Sequence, residues 1–188
     1  MTTSLGDHVS VRRPYGYWHH GIYISDDRVI QFGGGFRDKP KATVEAVSFE
    51  NFARGSSVEV VLHRSGKRLF GPVGPPGVPG EIVHAEWLLA RHPVGRYNLI
   101  GWNCETAATF CVNGFSESSQ VRHLIGVLGL LIMALMGVLI VWKKPPKWLL
   151  VPSWSLFSVA ITVRWMYRHY NWQIWRDLED QWKVDHQL

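Results

Sequence analysis

Hydrophobic and polar positions change rhythm along this chain, and each change predicts a different element. Over His8-Val9-Ser10-Val11-Arg12 the rhythm is two, which predicts a first strand. Trp18 to Ser25 and Arg28 to Phe32 are rich in β-branched and aromatic residues, with the turn signal Asp26-Asp27 between them. Together they predict a β-hairpin. Alternation sends His19, Gly21 and Tyr23 to one face and His20, Ile22 and Ile24 to the other. Ala42 to Val47 predicts a short strand, Ser48 to Phe52 a helical turn, and Ser57 to His63 a further strand with Val58, Val60 and Leu62 in phase.

Elsewhere the period is helical. Glu81 to Arg91 places Ile82, Ala85, Leu88 and Leu89 on one face and stops before Pro93. His84 lies near that face and is expected as a core or surface histidine. Thr106 to Val112 is small or apolar and predicts another helix. Asn103 suits its N-cap, and Glu105 in the first turn complements the helix dipole. Two glycine-bearing stretches predict loops. Gly33-Gly34-Gly35 ends the hairpin without the helix start, Lys or Ser/Thr of a phosphate cradle. Gly71 to Gly80 has glycine at every third position over only three triplets, too short for a collagen helix.

After Arg122 the pattern loses its polar face. Leu124 to Trp142 is uncharged and long enough to span a bilayer. Lys143-Lys144-Pro145-Pro146-Lys147 breaks it. Trp148 to Val163 is a second uncharged run, interrupted by Pro152 and short for a span, so a second crossing or a re-entrant segment fits. Arg164 to Lys183 predicts an aromatic helix with Trp165, Trp172, Trp175, Leu178 and Trp182 in one broad sector. It suits a membrane surface, with packing on the preceding domain as the alternative.

These patterns divide the chain into a folded domain over 1–121 and a membrane region over 122–188. The membrane region comprises a span at 124–142, an apolar segment at 148–163 and an aromatic helix at 164–183. Charge follows the division. Residues 1–120 carry 12 Lys+Arg and 11 Asp+Glu, whereas residues 121–188 carry 8 and 4. The basic excess lies with the membrane part, beside anionic headgroups, and the near-neutral domain argues against nucleic-acid binding. Seven of the ten tryptophans stand at or after Trp142, which suits interfacial anchoring. The apolar helices also offer a surface for oligomerisation. The N-terminal residues lack the basic and apolar regions of a secretory signal, so a cytoplasmic domain is expected. Two spans would then place Lys143 to Lys147 on the far side, against the positive-inside bias, and a re-entrant second segment would remove that conflict.

The chemistry concentrates at Tyr97-Asn98-Leu99-Ile100-Gly101-Trp102-Asn103-Cys104-Glu105-Thr106. Cys104 falls in the first turn of a predicted helix, where backbone N–H groups stabilise a thiolate. Taken alone, a small buried core cysteine is the commoner reading. Cys111, the only other cysteine, lies two turns along the same helix, too far to bridge Cys104. No His/Cys/Asp/Glu cluster has metal-ligand spacing, so no metal or other cofactor is expected.

In combination, the motifs resemble the lecithin:retinol acyltransferase-like (LRAT-like) domain, a circularly permuted relative of papain-like thiol enzymes. The resemblance rests on Gly6-Asp7-His8-Val9, His19-His20-Gly21-Ile22-Tyr23-Ile24, Asn103-Cys104-Glu105 and Glu117-Ser118-Ser119-Gln120-Val121. It implies an α+β fold, a small antiparallel sheet packed with the nucleophile helix, here followed by transmembrane or membrane-associated helices. It also implies Cys104 as nucleophile, His19 as catalytic histidine and Tyr17 as an oxyanion donor. Two positions depart from the family pattern. Gln31 stands where a second histidine is usual, and related thiol enzymes use an amide in that orienting role. Thr106-Ala107 stands where His-Phe is commoner.

The function implied is a membrane-anchored lipid acyltransferase or phospholipase A-type enzyme, working through a thioester acyl-enzyme. Membrane phospholipid would be the acyl donor, and an amine, an alcohol or water the acceptor. The alternatives are a thiol peptidase or amidase of the same superfamily, and a non-catalytic interaction protein, which Gln31 favours.

Overall fold

The alternating runs pair into one antiparallel sheet. The computed structural model describes residues 3–25, 27–33, 42–63, 80–91, 97–98, 100–114, 117–141 and 147–186. Its strands are β1 (His8–Arg12), β2 (Trp18–Ser25), β3 (Arg28–Phe32), β4 (Val44–Ser48) and β5 (Val58–Val60), in the spatial order β4-β3-β2-β1-β5. The helices are α1 (Phe49–Ala53), α2 (Gly80–Arg91), α3 (Cys104–Asn113), α4 (Ser119–Val141) and α5 (Lys147–His186). The fold is therefore α+β, as expected. The glycine-rich stretches at 34–35 and 71–79, and the basic break at 143–146, lie outside the described residues.

Close packing on both faces fixes the centre of the sheet. On one face Val9, Val11, Tyr23, Val29 and Phe52 form a buried cluster. Gly21 has no side chain there for a reason: a Cβ would stand 2.6 Å from Val29 Cγ1 and 3.1 Å from the Phe52 ring. Phe52 is delivered by α1, which Ser48 starts by accepting from the Asn51 N–H at 3.1 Å and Arg54 ends in the left-handed conformation. On the other face Ile22, Ile30, Phe32 and Val44 pack against Ala85 and Leu88 of α2 and Cys104, Ala107, Ala108 and Cys111 of α3. Ile22, with Ile24 at its margin, thus faces α3. Of the two adjacent histidines, it is His20 that shares that face and lies under the body of α3.

The chain forms two compact units, Met1–Ser118 together with Ile174–Leu188, and Ser119–Gln173. Composition placed the boundary between residues 121 and 122 and left the tail with the membrane region. Instead, the end of α5 is part of the first unit. Leu178 joins the core beneath α2 and α3, and the Trp182 ring meets His84 and Trp87 with centroids 4.4 and 5.3 Å away. Burying these apolar groups on α2 removes them from water, which a helix on a bilayer surface would do against lipid. The two expected segments 148–163 and 164–183 are one continuous helix of 40 residues. Pro152 removes a single backbone donor near its start, and the rest of the helix tolerates that loss.

In the second unit, Ser119–Leu139 has mean hydropathy 2.1 over its most apolar window. Among the described residues it is the one helix long and apolar enough to cross a membrane. Leu124, Leu130, Leu131 and Val138 are exposed along it.

Candidate active site

Cys104 owes its position to a capped helix start. The Asn103 side chain accepts from the Glu105 and Thr106 N–H groups at 2.9 and 3.0 Å. The Asn103 N–H donates back to Thr106 Oγ1 at 2.7 Å, completing a capping box. Thr106, which is completely buried, therefore has a structural role in this chain. Glu105 is turned inward and accepts from the Ser118 hydroxyl at 2.5 Å.

The loop before α3 brings in a residue that sequence patterning missed. Asn98 and Trp102 pair across an antiparallel bridge, and Asn98 Oδ1 accepts from the Ile100 and Gly101 N–H groups. This doubling back returns Tyr97 to Cys104, whose side chain and backbone both hydrogen-bond the Tyr97 side chain. Burial, then the charge and side-chain hydrogen bond of Cys104 and the charge of Tyr17, push the Tyr97 phenol well above its ordinary value, so it remains a neutral donor. A tyrosine seven positions before a cysteine carries no periodic signal; only the turn brings them together.

The Cys104 sulfur lies 4.0 Å from the carbonyl oxygen of Trp18, the residue before His19. Arg13 is close enough to sense both Tyr17 and Cys104. Its guanidinium is lowered from the usual value by burial and by Arg54, while Tyr17 and Cys104 pull it back. The Arg13 side chain is anchored on the Phe52 carbonyl at 2.5 Å. Cys104, Tyr17, Arg13 and Tyr97 thus gather at the end of the sheet where β1 turns into β2.

His19 is buried on the Phe52 face, its ring centroid 5.6 Å from that of Phe52. Its Nε2 donates to Gln31 Oε1 at 2.7 Å, and Gln31 Nε2 donates to Glu45 Oε1 at 2.8 Å. Gln31 is therefore in contact with the histidine it was expected to orient. Glu45 was not singled out from the sequence.

His20 takes a different path. Its Nδ1 lies 2.8 Å from His8 Nε2, and His8 Nδ1 lies 2.7 Å from His63 Nε2. The His63 Nδ1 meets the Asn113 side-chain amide at 3.1 Å. Burial, against the pull of the Glu105 charge, lowers His20 to about 4, and burial lowers His8 and His63 as well. All three are thus held neutral. His8 spends both ring nitrogens on its neighbours, so the three rings form a hydrogen-bonded chain. Among the described residues, no group of three His, Cys, Asp or Glu is disposed to hold a metal ion.

Cys111 is buried, unpaired and pushed well above the usual thiol range by burial, so it stays a thiol. His84 is a core residue whose Nδ1 lies 3.0 Å from the Cys111 carbonyl. A narrow apolar cavity runs under Cys104 between α3, β2, β3 and Leu88.

Compared with curated proteins, the chain matches none. The lecithin retinol acyltransferase family model matches residues 1–117, which include the whole sheet, the His19–Gln31 pair and the capped Cys104 helix. The chain therefore belongs to the lecithin retinol acyltransferase family, a group of thiol enzymes of acyltransferase and phospholipase type.

Proposed function

We propose that this chain is a membrane-anchored, cysteine-dependent lipid acyltransferase or phospholipase A-type enzyme that acts through a thioester acyl-enzyme. The carrying observation is the capped helix start that sets the Cys104 sulfur against the carbonyl of Trp18, the residue next to His19, whose ring is held by Gln31. The order of the pieces, histidine strand before cysteine helix, supports a permuted papain-like arrangement.

In this reading His19 takes the thiol proton of Cys104, and the thiolate attacks the ester carbonyl of a phospholipid. The backbone N–H of Cys104, with the Tyr17 hydroxyl, stabilises the oxyanion. The neutral Tyr97 hydroxyl is a further donor at the same sulfur. Collapse breaks the ester bond, and the lysophospholipid leaves with the proton from the imidazolium. An amine, alcohol or water then attacks the thioester and frees Cys104.

The membrane part supplies substrate. Both ends of Ser119–Gln173 connect to the unit that holds Cys104. A segment joined at both ends to one unit crosses a bilayer an even number of times. With α4 as one crossing, the uncharged run at 148–163, though short for a span, returns the chain, and the catalytic unit stays on a single side, the cytoplasmic one in this reading. Anchoring raises the effective concentration of an insoluble acyl donor at the site.

The test is labelling of the full-length protein in lipid vesicles with a thiol-reactive fatty-acyl probe. Cys104→Ala abolishes both labelling and release of fatty acid or acylated acceptor, whereas Cys111→Ala retains most of each. Full turnover by Cys104→Ala sinks the thiol-enzyme reading.

A further inference from the structure

The polar line behind His19 runs across three adjacent strands. Sheet register pairs Gly21 with Gln31 and Gln31 with Glu45. His19 is two residues from Gly21 and so projects to the same face. The line therefore begins at His19 on β2, crosses Gln31 on β3 and ends at Glu45 on the edge strand β4.

Hydrogen-bond chemistry gives the line a direction. An ionised carboxylate only accepts, so Glu45 requires the NH2 group of Gln31 to face it. The Gln31 carbonyl oxygen must then face His19. A carbonyl oxygen only accepts, so His19 must present Nε2–H. Nδ1 is then the unprotonated, basic nitrogen of the ring. Without Glu45, the amide could rotate, offer its NH2 group to His19 and select the opposite tautomer. The carboxylate also polarises the amide it binds, which makes the Gln31 oxygen a better acceptor.

The neighbouring backbone makes room for this carboxylate. The Gly33 N–H donates to the Thr43 carbonyl at 2.8 Å, diagonally next to Glu45. A Cβ on Gly33 would fall 1.8 Å from Glu45 Oε1. Gly33 does not have a positive φ. An alanine there would suit the backbone and collide with the Glu45 carboxylate.

We propose that Glu45 is a positioning residue for His19, its carboxylate acting through Gln31 to hold the imidazole in the Nε2–H form with Nδ1 as the basic nitrogen. This rests on the reading of His19 as the base for Cys104. In effect, a carboxylate on the third strand and an amide on the second together replace the family's second histidine.

The experiment is 15N NMR of ring-labelled histidine in the full-length protein in detergent micelles, with the His19 signal identified by its loss in His19→Ala. Turnover on a phospholipid ester is measured alongside. Wild type is expected to show the Nε2–H tautomer. Glu45→Leu is expected to shift His19 toward Nδ1–H and to lower kcat by roughly ten-fold or more with KM unchanged. Glu45→Gln keeps an acceptor without the charge and is expected to fall between. Gly33→Ala should reproduce the Glu45→Leu shift and add nothing in the Glu45→Leu background. An unchanged His19 tautomer in both Glu45→Leu and Gly33→Ala overturns the proposal, whatever the activity. A tautomer shift with full activity in His19→Ala supports the relay and overturns the assignment of His19 as the base.

Discussion

The indole N–H of Trp87 donates to the Asp185 carboxylate at 2.6 Å, joining α2 to the last turns of α5 across almost a hundred positions. Arg91 binds the same carboxylate and stacks over the Trp87 ring. Beneath this exposed clasp, Trp182 is buried against His84 and Trp87, and Leu178 lies in the core. The energies should follow burial. Trp182→Ala is expected to cost roughly 3–5 kcal/mol, because it empties a buried aromatic site. Asp185→Ala, at the partly exposed end, is expected to cost about 1 kcal/mol or less. Chemical unfolding of the full chain in micelles measures both. A chain cut at residue 121 should be markedly less stable than one that lacks 122–173 but keeps the tail on a linker. Equal stability of the two would make the tail dispensable.

His19 and His20 occupy opposite faces, so their substitutions should part. His19→Ala is expected to lose at least a hundred-fold in kcat/KM, a usual contribution for a general base. His20→Ala is expected to retain most activity and to lose stability instead, because it removes the buried partner of His8 Nε2. Paired kinetics and unfolding curves separate the roles. Loss of chemistry confined to His20→Ala would make the histidine under α3 the base.

The buried chain His63–His8–His20 links folding to protons. All three rings have folded-state values below the ordinary 6.5, so the folded protein excludes protons that the unfolded chain accepts. Below about pH 6.5 the unfolded state therefore binds more protons, and stability must fall as pH falls. For His20 the loss continues down to about 4. Each histidine held neutral contributes a slope of about 1.4 kcal/mol per pH unit in that window, with the half-buried His63 contributing less. Unfolding free energies measured between pH 7.5 and 5 should decline, and His20→Leu should flatten the decline. A flat profile in the wild-type protein would remove the linkage.

The even-crossing topology can be checked by position. Single cysteines placed on a background with both Cys104→Ala and Cys111→Ala, at Glu117 and at Asp185, should react with a membrane-impermeant maleimide from the same side of sealed vesicles, and one at Lys144 from the opposite side. Labelling of Lys144→Cys with the other two would mean that α4 does not traverse. The full-length protein should also resist extraction by alkaline carbonate, and release in that wash would point to the same conclusion.

What the sequence determined by itself is local. Alternation located β1 to the residue, and β-branched and aromatic runs around a turn signal located β2 and β3, because both signals are carried by near neighbours in the chain. Asn103 identified its own helix start, because a cap bonds backbone groups two and three residues away. The uncharged run at α4 announced itself by composition. The motif order pointed to Cys104, His19 and Gln31, and the His19–Gln31 contact is present.

Long-range pairing was left to the tertiary structure. Nothing in the sequence around Glu45 says that it stands opposite Gln31; the register between β3 and β4 decides that. Tyr97 reaches Cys104 only through the bridge at Asn98 and Trp102. His8, His20 and His63 come from three separate segments, and the packing of β1 against both β2 and β5 brings them together. The tail shows the same limit most plainly. Its aromatic sector satisfies a bilayer surface and a protein groove equally well, because both remove apolar area from water. The seat between His84 and Trp87, with Asp185 held by Trp87 and Arg91, is what selects the groove.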